Sequence, residues 1–172
     1  MKFDHLQAAA HTASPLGRIV LAASHTGLAG LWFEGQQHFP SGLDTVPLVA
    51  ASSHPVIGDA EAQLAAYFAG ERSGFDLPLD LTAGTAFQQS VWHALLAIDA
   101  GEKASYRELA ARIGNPAAVR AVAAAIGRNP VSIVVPCHRV IGSSGALTGY
   151  AGGLDRKAAL LQIERAERRV LV

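Results

Sequence analysis

The 172-residue chain holds one cysteine, Cys137, and one methionine. A lone cysteine excludes an internal disulfide and any multi-cysteine zinc cluster. Charge is scarce too: 14 basic and 14 acidic residues cancel to a formal net charge of zero, which argues against a large nonspecific nucleic-acid binder. No uninterrupted apolar run approaches the roughly 18–20 residues that a membrane span needs. The N-terminal residues lack a long apolar stretch behind a basic segment, so they do not read as a signal peptide, and the expected location is cytoplasmic. His5, His11, His25, His38, His54 and His93 are scattered, with no pair at ligand spacing. They read as surface or internally satisfied histidines, so neither a metal nor a cofactor is expected.

What is present is apolar. Hydrophobic residues make up 50 % of the chain, which implies a packed core rather than disorder. The length suits one ordinary domain or two small ones sharing an interface. The sparse charges are also unevenly placed. Residues 1–80 carry three basic groups (Lys2, Arg18, Arg72) against eight acidic ones, whereas residues 81–172 carry eleven against six, so the halves stand at −5 and +5. That asymmetry hints that the second half meets a polyanion.

The first half reads as an α/β unit. Arg18–Ala23 and Leu28–Phe33, separated by His25-Thr-Gly27, predict a β-hairpin. Residues 35–53, rich in Gly, Ser, Pro and Gln, predict a loop. Val56–Ala69, with Ile57, Leu64, Tyr67 and Phe68, predicts a helix ended by Gly70, and Phe75–Leu79 a short final strand.

The second half reads as mostly helical. Thr85-Ala-Phe-Gln88 and Ser105-Tyr-Arg-Glu108 are capping boxes. The first opens a helix with an apolar stripe of Phe87, Val91, Trp92, Leu95 and Leu96; the second opens one through Ile113, stopped by Gly114. Asn115 is expected to cap a following helix over Ala117–Ile126, with Pro116 at its first position. Two helices joined this tightly suggest a helix-turn-helix, although an ordinary αα-corner is the simpler account of that spacing. The second helix presents alanines and one charged side chain, Arg120, a face able to approach a backbone or a narrow groove closely.

Val131–Val135 resembles a buried strand and leads into Pro136-Cys-His-Arg-Val140. A buried cysteine is usually inert. One beside a histidine is a candidate nucleophile, whose reactive form is the thiolate. Neighbouring side chains of an extended segment point apart, so His138 is not expected to deprotonate Cys137 directly; a water or a remote carboxylate would complete the relay. The glycines at 142, 145, 149, 152 and 153 suit either a ligand-binding loop or a plain surface loop. A last helix, Asp155–Arg169, carries Leu160, Leu161, Ile163 and Glu164 together with basic Arg156, Lys157, Arg165, Arg168 and Arg169.

From Gly84 to Glu164 these motifs, in order and spacing, resemble the O6-alkylguanine-DNA alkyltransferases, also called methylated-DNA–protein-cysteine methyltransferases. The resemblance rests on Gly84-Thr-Ala-Phe-Gln-Gln89, Ser105-Tyr106, Gly114-Asn-Pro116, Val119-Arg-Ala-Val122, Gly127-Arg-Asn-Pro130, Pro136-Cys-His-Arg-Val140, Ile141-Gly-Ser-Ser-Gly145 and Thr148-Gly-Tyr-Ala-Gly-Gly-Leu154. Ser14-Pro-Leu-Gly17 and Tyr67-Phe68-Ala-Gly70 extend it loosely into the first half. It implies an α+β fold: a small ribonuclease-H-like α/β domain over residues 1–82, and a helical domain with a (winged) helix-turn-helix over 83–172. It implies single-turnover repair, in which the alkyl group of O6-alkylguanine, or O4-alkylthymine, passes to Cys137 after nucleotide flipping.

The resemblance also implies roles. His138 acts through a water and is polarised by Glu164; Asn129 braces the turn; Tyr106 bonds the flipped base and gives it a proton. Arg120 fills the gap in the stack, with Ala121, Ala123, Ala124 and Arg128 on a minor-groove DNA surface. Val140, Tyr150 and Ala151 line the base pocket. The implied partner is double-stranded DNA, bound by a monomer with cooperative assembly left open, and no membrane is involved. Ala123 and Ala124 stand where the family often carries glycine, and Ile126 where many bacterial members are polar, which bears on affinity. Two other readings remain: a non-catalytic alkyltransferase-like damage sensor, which would lack the cysteine, and a multiple-turnover cysteine hydrolase built on Cys137 and His138.

Overall fold

In the computed structural model, residues 3–170 are described, with side chains through Arg165; Lys2 and the side chains of Arg168 and Arg169 lie outside the described set. The first half is a three-stranded antiparallel sheet, β1 (Ala8–Thr12), β2 (Ile19–Ala23) and β3 (Leu28–Phe33), in the order β1-β2-β3. The β2–β3 pair is the expected hairpin, with a register irregularity at Ala22/Ala23. β1, pairing Ala8 with Ala23 through Thr12 with Ile19, was not expected from the sequence.

Side-chain alternation sorts the sheet's two faces. Ala8, Ala10, Leu21, Ala23, Leu31 and Phe33 enter the main core, whereas Ala9, Ala22, Ala29 and Trp32 form a smaller cluster with Leu6 behind the sheet. Helix α1 (Pro55–Phe68) starts with proline at its first turn and buries Ile57, Ala60, Leu64 and Tyr67, a one-sided stripe at helical spacing. The 35–53 segment is a loop holding two short 3-10 turns, Leu43–Thr45 and Ala51–Ser53.

The second half stacks α2 (Ala86–Leu96), α3 (Tyr106–Arg112) and α4 (Val119–Gly127). Both capping boxes form: Thr85 with Gln88 and Ser105 with Glu108 each exchange side chain and backbone hydrogen bonds. Trp92 on α2 donates its indole N–H to the Ala125 carbonyl of α4 at 2.9 Å. Its ring occupies the place where a Cβ on Gly84 would sit, 2.3 Å away, so Gly84 must lack a side chain. A two-residue parallel pair, β4 (Ala104–Ser105) with β5 (Val140–Ile141), and the long helix α5 (Leu154–Val170) complete the fold.

Three expectations from the sequence are corrected. Phe75–Leu79 is not a strand; only Leu79 bridges β3, at Leu28. α4 begins at Val119 behind Ala118 with no side-chain cap, and the Asn115 carbonyl instead accepts the Ala118 N–H at 3.0 Å, so residues 115–118 are a turn. Val131–Val135 is buried but not a strand. Val131 bridges Leu31, and the chain then turns tightly, with Val134 N–H on the Ser132 carbonyl at 2.8 Å and Val135 N–H on the Val131 carbonyl at 2.9 Å.

One continuous apolar cluster runs through both halves, from Ala8 to Leu160. Backbone bonds add to it: Leu31 N–H to the Pro130 carbonyl at 2.8 Å and Ser132 N–H to the Leu31 carbonyl at 2.9 Å. These occupy the edge of β3, which would otherwise offer unpaired backbone groups, and they fasten the segment before Cys137 to the sheet.

Candidate active site

Cys137 opens a one-turn 3-10 helix, Cys137–Arg139. This corrects the expectation of an extended segment. The turn before it holds Ile133 at φ 70, the left-handed region that a β-branched residue adopts only when its surroundings dictate it. Asn129 supplies part of that dictation. Its Oδ1 accepts the Val131 N–H at 3.0 Å, and its Nδ2 donates to the Val135 carbonyl at 2.8 Å and to Cys137 Sγ at 3.1 Å. One buried amide therefore shapes the turn and places a donor on the sulfur.

Burial pushes the Cys137 thiol up. The Asn129 amide, the Lys157 charge and the backbone N–H groups of Cys137 and His138 pull the other way, and burial prevails. Among the described residues no hydrogen bond joins the His138 imidazole to the sulfur. His138 instead bonds Glu164, Nε2 to Oε1, at 2.7 Å, with both side chains fully buried. Burial would raise the Glu164 carboxyl, but hydrogen bonds from His138 and Arg139 hold it at about 2. A carboxylate only accepts, so His138 carries its proton on Nε2 and keeps the Nδ1 lone pair free. Nδ1 is buried and without a partner among the described residues. Burial holds His138 below its ordinary value despite the raising pull of Glu164, so the imidazole is neutral at pH 7 and able to take a proton.

Arg139 completes the Glu164 site. Its Nη2 donates to Oε1 at 2.8 Å, its Nε reaches Oε2 at 3.1 Å, and its Nη1 bonds the Ile98 carbonyl. Tyr67 adds its hydroxyl from α1, donating to Oε1 at 3.0 Å.

The sulfur sits at a cavity of about 150 Å³ lined by Tyr106, Ala123, Ile126, Gly149, Tyr150 and Ala151, with Gln37 from the first half at its rim. That is below the roughly 300 Å³ at which drug-sized ligand pockets begin. Tyr106 donates its hydroxyl to the Thr148 carbonyl at 2.9 Å. Val140 is not on the wall: it is fully buried, and its carbonyl is held by Lys157 Nζ. The same ammonium reaches the Thr148 carbonyl at 2.8 Å and the Gly149 carbonyl at 3.3 Å, pinning the glycine loop to β5. Burial lowers Lys157 to about 8, against a raising pull from Cys137. A Cβ on Gly152 would come within 2.7 Å of the Tyr150 ring and 3.1 Å of Phe33, so this glycine lets the loop close beneath Tyr150.

On α4, Val122, Ala125 and Ile126 are buried, whereas Arg120, Ala121, Ala124 and Arg128 are exposed and Ala123 is intermediate. The exposed face is small and apolar apart from the two arginines. Arg128 folds back towards the helix end, its Nη1 3.4 Å from the Ala124 carbonyl.

Two family profiles cover the chain. Residues 9–81 match the 6-O-methylguanine DNA methyltransferase ribonuclease-like domain, and residues 86–166 match the DNA-binding domain of the same proteins. The chain belongs to the 6-O-methylguanine DNA methyltransferase family. Among family relatives, the methylated-DNA–protein-cysteine methyltransferase of Mycobacterium bovis is 51 % identical over 89 % of each chain. The constitutive methyltransferase of Bacillus subtilis is 47 % identical over 88 % of this chain and 92 % of its own. The crystal structure of the Mycobacterium tuberculosis protein in complex with DNA superposes with a TM-score of 0.83 at 46 % identity, covering 93 % of this chain and 94 % of that one.

In this methyltransferase-family chain, the residues singled out from the sequence thus come together in part. Cys137, Asn129, Tyr106, Tyr150, Ala151 and Ala123 converge on one cavity and its sulfur. His138 and Glu164 form a pair behind it, and Arg120, Ala121, Ala124 and Arg128 lie on the α4 surface. Sequence reasoning missed Arg139, Lys157, Tyr67 and Gln37. Lys157 left a signal: with Leu160, Leu161 and Glu164 it falls at i, i+3, i+4 and i+7, placing a cation on the apolar face of α5. Among the described residues no cluster of three metal-ligating side chains occurs, and no helix is long and apolar enough to cross a membrane.

Proposed function

We propose that this chain repairs alkylated DNA by direct reversal, passing the alkyl group of O6-alkylguanine to Cys137 once and irreversibly. The observation that carries the reading is the single cysteine lining a small cavity, with the Asn129 amide on its sulfur and a buried His138–Glu164 pair beside it. Family membership supports the same reaction and disfavours the damage-sensor alternative, which would lack the acceptor.

O6 of guanine lies inside the duplex, so the nucleotide is extruded into the cavity. Arg120, with Ala121, Ala123, Ala124 and Arg128, forms the minor-groove surface, and Arg120 occupies the vacated space in the stack. His138 Nδ1, through a water, takes the thiol proton, and Glu164 stabilises the imidazolium. The sulfur lone pair forms an S–C bond to the alkyl carbon as the C–O6 bond breaks, leaving its electron pair on guanine. Tyr106 offers a proton to the departing base, and the proton held on His138 restores it by way of water. The thioether has no hydrolytic route, so each molecule acts once. The division of labour places the acceptor and the DNA surface in residues 83–172 and the supporting sheet in 1–82, in a cytoplasmic monomer; O4-alkylthymine is a second substrate class.

The test is stoichiometry. One equivalent of duplex containing O6-methylguanine should add one methyl mass at Cys137 and then stop. Sustained turnover by a fixed amount of protein would mean a hydrolase or another enzyme class.

A further inference from the structure

The Glu164 carboxylate is held by more than the segment it serves. His138 and Arg139, two of its donors, are neighbours on the same 3-10 turn as Cys137, so they move together if that turn moves. Tyr67 is independent of it. It lies on α1, 97 residues away in sequence, and donates to Oε1 at 3.0 Å. Its side chain is fully buried, and its ring packs against Phe68 and Phe75, with centroids at 5.5 and 5.3 Å. The hydroxyl therefore cannot swing away, and it ties the carboxylate to the first half of the molecule.

Resting on the alkyl-transfer reading, we propose that Tyr67 is a positioning residue of the relay, through which the N-terminal half sets how strongly Glu164 draws on His138. Oε1 is crowded: besides Tyr67 it accepts from His138 at 2.7 Å and from Arg139 Nη2 at 2.8 Å and Nε at 3.2 Å. Each donor takes a share of the oxygen's charge. Without the Tyr67 share, Oε1 pulls harder on the His138 proton and the imidazole becomes more basic. His138 then fills with protons at a higher pH, and its Nδ1 lone pair is lost to the thiol sooner on acidification.

Tyr67→Phe keeps the ring and removes the hydroxyl. The readout is the rate of Cys137 alkylation by iodoacetamide against pH, unambiguous because Cys137 is the only cysteine. The acid limb of the profile is expected to move up by about half a unit to one unit. On that limb the variant is then about three- to tenfold slower than wild type, and above it about equal. A purely structural tyrosine would lower the melting temperature at every pH and leave the limb in place. In a Glu164→Gln background, Tyr67→Phe should produce no further shift, because the two changes act on one interaction. A Tyr67→Phe limb superimposable on wild type, or the same shift with and without Glu164, overturns the proposal. The assay needs no DNA, so its failure leaves the repair reading standing, whereas wild-type protein that takes no methyl from DNA defeats that reading alone.

Discussion

Replacing Glu164 by glutamine tests the buried relay most directly. The carboxylate accepts from His138, Arg139 and Tyr67 within 3.2 Å, and Arg139, which reaches both oxygens, can only donate. An amide keeps one oxygen and brings an NH₂, so either orientation sets a donor against a donor. The change also removes the counter-charge of Arg139, which is 7 % exposed. Breaking a buried ion pair on one side costs about 3–5 kcal/mol. For a chain of this size, about 2–4 °C of melting temperature is lost per kcal/mol, so Glu164→Gln should melt roughly 6–20 °C lower. Kinetically, His138 loses the partner that fixes its proton on Nε2 and raises its basicity, and thiol ionisation becomes harder. Alkylation by free O6-benzylguanine, measured below the lowered melting point, should slow as much as reaction with duplex DNA, since the defect precedes any DNA contact. A Glu164→Gln protein with unchanged melting and unchanged rates towards both substrates would refute this account of the site.

Cys137→Ser should abolish transfer while leaving duplex affinity within a few fold, as gel shift and mass spectrometry would show; residual demethylation would mean the acceptor is misassigned. Arg120→Ala should slow single-turnover repair of saturating duplex by on the order of tenfold or more, about 1.4 kcal/mol per decade, yet react normally with free O6-benzylguanine. A wild-type rate at saturating duplex would reduce Arg120 to a phosphate contact, in which case Arg120→Lys would also restore binding. Acid should destabilise the fold in two steps, read by urea denaturation at stepped pH. His138 is held low in the folded state, so the unfolded chain binds the extra proton and stability begins to fall below about 6.5. Glu164, lowered from 4.5 to about 2, contributes on the order of 3 kcal/mol above 4.5 that is lost as pH falls towards 2. Flat stability from pH 7 to 3 would contradict both assignments.

The parts of the fold legible in the sequence were those specified locally. Both capping boxes and the β2–β3 hairpin depend on residues three to a few positions apart, and they formed as read. β1 was missed because Ala8-Ala-Ala-His-Thr12 carries little strand propensity; pairing with β2 imposes the conformation. The opposite error occurred at Val131–Val135, where an apolar run with β-branched residues reads as a strand. There Pro130, Pro136 and the Asn129 side chain break the ladder after one bridge. At Phe75–Leu79, the Pro78 carbonyl accepts the Leu28 N–H at 2.7 Å and the Asp80 N–H donates to the Leu28 carbonyl at 2.9 Å, but Pro78 has no N–H to give, so pairing stops after a single bridge. In the site, adjacency made Cys137 and His138 conspicuous, whereas Glu164 needed the family resemblance to be singled out. Tyr67 was legible only as part of a helix stripe and of a loose family motif, because a tyrosine there is ordinarily core, and its hydroxyl finds a use only in three dimensions.

The raised thiol pKa at first sight opposes a nucleophilic role. A thiol held protonated by burial is slow to react with solution electrophiles and oxidants, since both attack through the thiolate. For a group used once per molecule, any adventitious reaction is a permanent loss. The groups that favour the thiolate are nonetheless in place: Asn129 Nδ2 at 3.1 Å from the sulfur, the backbone N–H groups of the 3-10 turn and the Lys157 charge. Held by Ile133 in its left-handed conformation and by the β3 edge, they need no rearrangement when charge develops. In the proposed reaction the barrier to ionisation then falls when an electrophile fills the cavity and His138 takes the proton. Selectivity in that proposed reaction would come from what a space of about 150 Å³ admits, rather than from a cysteine that is reactive at all times.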